Sequence, residues 1–167
     1  VEAMVLPGEV FTPRAEAVAI AQDRIAEKQF IAGCGVATAP FTAVREVADL
    51  HALSAAQDDP AGRPAGDRQS LFPGILKVAR LGYDGKGQAQ VATLADAVAA
   101  FERFSRERAG AHAAGRADSA AVPCVLERRL DLACEISVVV ARADDGTAVT
   151  FPVGTNVHRD GILASTT

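Results

Sequence analysis

The sequence predicts an α+β fold. Segments with helical period mix with short apolar runs, but without the strict strand–helix rhythm of a parallel sheet. Asp145-Gly146 between two apolar runs is a hairpin signal, which points to antiparallel pairing. The apolar run "FPGILKVAR" leads directly into the polar, glycine-rich stretch "RLGYDGKGQA", which suits a loop.

In chain order, "PRAEAVAIAQDRIAEKQFIAGCG" reads as one or two helices. Pro13 suits a helix start, alanine, glutamate and lysine favour helix, and Gly33 and Gly35 suit its end. "VATAPFTAV" reads as extended, because Pro40 disfavours helix just before it. "REVADLHALSAAQ" is helical, and "DDPAGRPAGDRQS" is a surface loop. A strand over "FPGILKVAR" precedes the glycine-rich loop. Thr93 to about Arg108 is the clearest helix: Thr93 and Asp96 resemble a capping box, and Leu94, Val98, Phe101 and Phe104 fall near one face. "GAHAAGRADSA" reads as a linker and "VPCVLE" as a short buried strand. "CEISVVVARADDGTAVTFPV" reads as one hairpin.

Composition narrows the function. With 49% apolar and 23% charged residues, the chain is globular. A formal charge of −4 gives no support for nucleic-acid binding. No apolar run approaches the ~20 residues of a membrane span, and "VEAMVLPGEV" is not a secretory signal. Cys34, Cys124 and Cys134 form no C-x-x-C pair and read as free thiols of a reducing cytoplasm. The cysteines and His51, His112 and His158 are too scattered to suggest a metal site. The first residue is not methionine and the chain stops at "ILASTT", so a piece of a longer protein is expected.

Several chemistry-bearing residues follow in order: Arg24, Lys77 at a strand end, the glycine-rich loop, Glu127 at the next strand end, and Glu135. His158 and Asp160 come later. A nucleotide site wants cations for phosphates and carboxylates for ribose hydroxyls. The loop is neither of the common phosphate loops: Gly85-Lys86-Gly87 lacks a third glycine in register, and Lys86 is not followed by Ser or Thr. Taken singly, each residue has an ordinary reading: a strand lysine reaching solvent, surface carboxylates, a helix-surface arginine, a structural histidine, a tight turn.

Taken together, "AQDRIAEKQF", "GVATAPF", "ILK", "GYDGKGQ" and "NVHRDGIL" occur in the order seen in the N5-carboxyaminoimidazole ribonucleotide synthetases. The chain resembles these ATP-grasp enzymes of bacterial and fungal purine synthesis from about Thr12 to Thr167. The resemblance implies an ATP-grasp fold. Residues 1–23 would lead in from a preceding domain, 24–71 form a helical and extended segment with a loop, 72–130 the lid, and 131–167 the start of the antiparallel catalytic sheet.

It also implies site roles. Arg24 matches an arginine near the nucleotide phosphates, and Lys77 the lysine on the phosphate oxygens. Gly82, Tyr83, Asp84, Gly85, Lys86, Gly87 and Gln88 match the loop that folds over ATP and substrate, with Tyr83, Asp84 and Lys86 facing aminoimidazole ribonucleotide. Glu127, Arg128, Arg129 and Leu130 match the hinge whose backbone reads adenine. Glu135 matches the ribose carboxylate, and His158 a further nucleotide-site residue.

The implied activity is ATP-dependent carboxylation of 5-aminoimidazole ribonucleotide with bicarbonate, in a cytoplasmic homodimer. Mg2+ would be held by carboxylates downstream of this chain, so the chain alone is expected to be inactive. Two positions depart from the family pattern: Leu81 replaces a glycine, and Thr155 stands before Asn156 where an acid is common. The alternatives are another ATP-grasp carboxylate–amine ligase, or a noncatalytic nucleotide-binding module.

Overall fold

The computed structural model describes residues 14–57, 70–80, 87–111, 121–143, 145–159 and 162–167. The expectations for Pro13, for most of the two linkers, for Asp160 and for Gly82, Tyr83, Asp84, Gly85 and Lys86 lie outside these residues. The chain divides into two units, Val1–Arg129 and Leu130–Thr167.

The first unit starts with α1 (Ala15–Ala21) and α2 (Arg24–Gly33). Strand β1 (Phe41–Val44), α3 (Val47–Gln57), β2 (Gly74–Val78), β3 (Gln88–Val91), α4 (Leu94–Ala111) and β4 (Cys124–Arg128) follow. The strands form one antiparallel sheet in the order β1-β4-β2-β3.

Strand alternation divides this sheet into two unlike faces. Val44, Leu76, Val78, Val91, Cys124 and Leu126 join Leu50 of α3 and Ala97, Ala100, Phe101 and Phe104 of α4 in the main core. Leu76 and Leu126 are wholly buried; burying one such leucine stabilises by about 1.5–3 kcal/mol. The opposite face carries a smaller cluster, Val125 and Ala79 with Ile25 of α2, flanked by Phe41 and Ala43. Stability is therefore concentrated on the α3–α4 face, and the α2 face has room for charge.

The cap at α4 has the expected reciprocal form. Asp96 Oδ2 accepts the N–H of Thr93 at 2.9 Å, and Thr93 Oγ1 accepts the N–H of Asp96 at 3.2 Å. The helix runs to Ala111, past the expected end.

The second unit holds β5 (Glu135–Ser137), β6 (Val140–Arg142), β7 (Ala148–Thr150), β8 (Gly154–Arg159) and β9 (Ile162–Thr166). The segment expected to be one hairpin is split. β6 and β7 pair around Asp145-Gly146, with Gly146 at φ +87°, whereas β5 pairs with β8. Among the described residues of this unit none is buried, and Ile136, Val139, Val149, Phe151 and Ile162 are exposed. No helix of the described residues is long and apolar enough to cross a membrane.

Cys124 lies within the main core, and burial pushes its thiol up to about 12 from an ordinary 9.0. The fold favours the protonated form, so the Cys124 contribution to stability should be flat below pH 9.0 and fall as pH rises toward 12, by up to about 1.4 kcal/mol per pH unit. Urea midpoints across that range, compared with Cys124→Ala, measure this term. An aromatic disulfide should label exposed Cys34 and Cys134 in the native protein and Cys124 only on unfolding. Equal labelling of all three would contradict the burial.

Candidate functional site

The polar centre of the first unit follows from strand register. Ile75 lies opposite Glu127, and Lys77 opposite Val125. Directly opposed residues share a face, so Lys77 and Glu127 emerge diagonally on the α2 side. Lys77 Nζ donates to Glu127 Oε2 at 3.1 Å. Lys28 Nζ reaches the same oxygen from α2 at 3.3 Å. Glu127 is only 9% exposed. Two ammonium groups on one carboxylate leave a net positive charge. Lys28 is further held over the Phe41 ring, with Nζ 5.4 Å from its centroid.

Sequence reasoning found Lys77 and Glu127 but missed Lys28. The available signal was helical spacing: Lys28 follows Arg24 by four residues, which places both on one face of α2.

The base of the glycine-rich loop is tied to the same helix. The N–H of Val78 donates to Gly87 O at 2.8 Å, and that of Ala79 to Pro123 O at 2.8 Å. The N–H of Arg24 donates to Ala79 O at 2.9 Å. The side chain of Arg24 has no ion pair among the described residues. Asp23 caps α2, its Oδ1 accepting from Ile25 N at 3.0 Å and Ala26 N at 3.2 Å. Its Oδ2 accepts from Arg80 Nε at 3.0 Å. One carboxylate thus connects the helix start to the loop stem. Gln88 lies opposite Lys77 and Gln90 opposite Ile75, which puts both glutamines on the Lys77 face.

At the end of β4, Arg128 N donates to Pro40 O and Arg129 N to Pro73 O, each at 2.9 Å. Arg129 Nη1 also reaches Gln90 Oε1 at 3.4 Å. Gly74 permits close backbone approach here. A Cβ at that position would sit 2.5 Å from Leu71 O and 2.9 Å from Glu127 O.

In the second unit, Glu135 lies opposite Asn156. Asn156 Nδ2 donates to Glu135 Oε1 at 3.0 Å. Asn156 Oδ1 accepts from Ser137 Oγ at 3.1 Å and Thr166 Oγ1 at 2.9 Å, which fixes the direction of the amide. His158 Nε2 stands 3.5 Å from Glu135 Oε1, an ion pair when the imidazole is protonated. Sequence reasoning named Glu135 and His158 but not Asn156. Leu130 is exposed.

An ATP-grasp domain model matches residues 29–167. The chain belongs to the ATP-grasp family. It is 39% identical over 157 residues to the N5-carboxyaminoimidazole ribonucleotide synthase of Brucella melitensis, covering 93% of this chain and 36% of that protein. It is 36% identical to the Pseudomonas aeruginosa synthase over 90% of this chain and 34% of that one. The solved N5-carboxyaminoimidazole synthetase of Staphylococcus aureus complexed with ADP is similar at a TM-score of 0.64 and 27% identity, over 89% of this chain and 32% of that one. The chain therefore spans about a third of the length of these relatives. The expected α+β, ATP-grasp architecture is borne out. Among the described residues, no group of three or more His, Cys, Asp or Glu side chains could hold a metal.

Asp23 provides a test of how this ATP-grasp chain fastens its loop stem. Burial alone would raise its carboxyl, but the N–H groups of Ala26 and Ile25 and the Arg80 guanidinium outweigh it and hold the pKa below the ordinary 3.8. The associated stability is thus present above that pH and is lost as pH falls through the depressed pKa. Asp23→Ala should lower unfolding stability by about 1–2 kcal/mol, the scale of a lost helix cap. Asp23→Asn retains the capping oxygen; it should lose less and flatten the acid limb of the stability curve. Urea unfolding between pH 3 and pH 7 checks both, and an unchanged midpoint in Asp23→Ala would show that the cap is not holding the helix.

Proposed function

We propose that this chain is the ATP-binding part of an enzyme that carboxylates 5-aminoimidazole ribonucleotide with bicarbonate in purine biosynthesis. The observation that carries this reading is the net positive Lys28–Glu127–Lys77 cluster beside the stem of the glycine-rich loop, within an ATP-grasp match. The relatives named as synthases and the ADP-bound relative support the choice of nucleotide and reaction.

In this proposal Lys77 turns from Glu127 to the polyphosphate, and Arg24 adds positive charge from the start of α2. Backbone N–H groups of Gly82 through Gln88 approach the phosphates, because glycine lets the chain pass close to an anion. Tyr83, Asp84 and Lys86 face the aminoimidazole ribonucleotide. At the hinge from Glu127 to Leu130, the N–H groups of Arg128 and Arg129 are already bonded. Leu130 is therefore the hinge donor proposed for adenine. Glu135 accepts from the ribose hydroxyls, and His158 completes the nucleotide site.

A bicarbonate oxygen attacks the γ-phosphorus and ADP leaves, giving carboxyphosphate. Carboxyphosphate then breaks its C–O bond to phosphate, releasing CO2, and the exocyclic amine bonds to that carbon and gives up a proton to the departing phosphate. The side chains position the reactants and neutralise charge rather than react covalently. Among the described residues no group of three or more His, Cys, Asp or Glu side chains gathers to hold magnesium. The full-length protein is proposed to act as a cytoplasmic homodimer.

Lys77 is the direct test. In the full-length protein, Lys77→Ala should weaken the apparent ATP constant by about 30- to 150-fold, equivalent to ~2–3 kcal/mol for a charge-assisted hydrogen bond and its field. Folding should be retained. Steady-state rates against ATP, with a thermal melt as control, measure both. An unchanged ATP dependence, or a loss explained by unfolding, would remove Lys77 from the site.

A further inference from the structure

We propose that Lys28 is a positioning residue: it holds the Glu127 carboxylate so that Lys77 can leave it for the nucleotide polyphosphate. This rests on the nucleotide reading above and adds a residue that acts through Glu127 rather than on ATP.

The argument starts from the shared oxygen. Lys77 and Lys28 lie 3.1 and 3.3 Å from the same Glu127 Oε2. With Lys77 as its only partner, Glu127 would form a neutral pair. Withdrawing Lys77 toward phosphate would then leave a nearly buried carboxylate without a cation, facing a polyanion. Breaking a buried pair in this way is strongly unfavourable. With Lys28 in place, Glu127 keeps a cation throughout, and the trio offers its excess positive charge to the ligand.

The two lysines are not equivalent. Lys28 has the less accessible side chain, 16% exposed against 22% for Lys77. It sits on a helix capped by Asp23, and its ammonium lies over the Phe41 ring. Phe41 in turn lies directly opposite Glu127 in the sheet. Lys28 is the anchored partner. Lys77 lies in β2 near the loop stem, opposite Gln88, on the side where the phosphates are proposed to bind.

The test compares ATP with adenosine, which lacks phosphates, by equilibrium titration of the full-length protein. Lys28→Met should weaken ATP binding about tenfold, the scale of coupling within one ionic network. Adenosine binding should be unchanged, and Lys28→Arg should restore ATP binding. In a Glu127→Gln background there is no carboxylate charge to hold, so adding Lys28→Met should cost little further affinity. Equal losses in both backgrounds would make Lys28 a direct phosphate ligand and overturn the proposal. So would equal losses for ATP and adenosine, which would indicate a merely structural role. If Lys28→Met does not fold, Lys28→Gln is carried through the same comparison. Lys77→Met separates the two readings. If it weakens ATP binding while Lys28→Met does not, only this proposal fails; if neither matters, the nucleotide reading fails with it.

Discussion

The first unit is organised around one carboxylate oxygen, Glu127 Oε2. It satisfies Lys77 from the adjacent strand and Lys28 from the helix above. Glu127 is 9% exposed, and a carboxylate so enclosed is tolerated only when paired. Its pairing needs the β2–β4 register to be held, because a one-residue slip would send Lys77 to the leucine core. It also needs α2 to stay seated on the sheet. Asp23 secures the start of that helix, and Ile25 packs on Val125 and Ala79. The loop stem meets the same helix through Arg24 N–Ala79 O and Arg80–Asp23.

This arrangement is possible because the two faces of the sheet have separate tasks. Leu76 and Leu126 are wholly buried with the aromatics of α4 on one side, and their burial carries much of the folding free energy. Ile75, Lys77, Val125 and Glu127, which alternate with them, meet a much smaller apolar cluster. Period-two alternation in "ILKV" and "CVLER" thus yields a stable core and a charged face from the same short strands.

Legibility in the sequence followed the strength of the local signal. The α4 cap, its apolar face and the Asp145-Gly146 turn are encoded within a few residues, and each was visible. β3, "QAQV", was not. It is an edge strand with exposed glutamines, so it owes its conformation to pairing with β2 rather than to its own pattern. β8 and β9 were hidden for a related reason. Their side chains are mostly exposed on both faces, so burial imposes no alternation on the sequence. Local order assigns β5 to the following hairpin, because it cannot reveal that the partner of β5 is β8. Lys77 and Glu127 stand out as charged residues at the ends of apolar runs, and motif resemblance assigns them to a nucleotide site. Helical spacing places Lys28 on the Arg24 face, but its pairing with Glu127, like that of Asn156 with Glu135, depends on strand register and helix placement.

Asn156 shows that holding an acid from an adjacent element is not confined to the first unit. Its carbonyl oxygen is occupied by the hydroxyls of Ser137 and Thr166, so its amide N–H points to Glu135. Glu127 has ammonium partners from a strand and a helix, while Glu135 receives a neutral donor from the facing strand. The difference follows from exposure. Glu127 is nearly buried and needs a full compensating charge, whereas the Glu135 side chain is 46% exposed and is already stabilised by water. For Glu135 an amide can set direction without adding another cation; His158 then supplies charge only when protonated. Orientation of the first acid is therefore inseparable from charge balance, but at the second the two can be tuned independently.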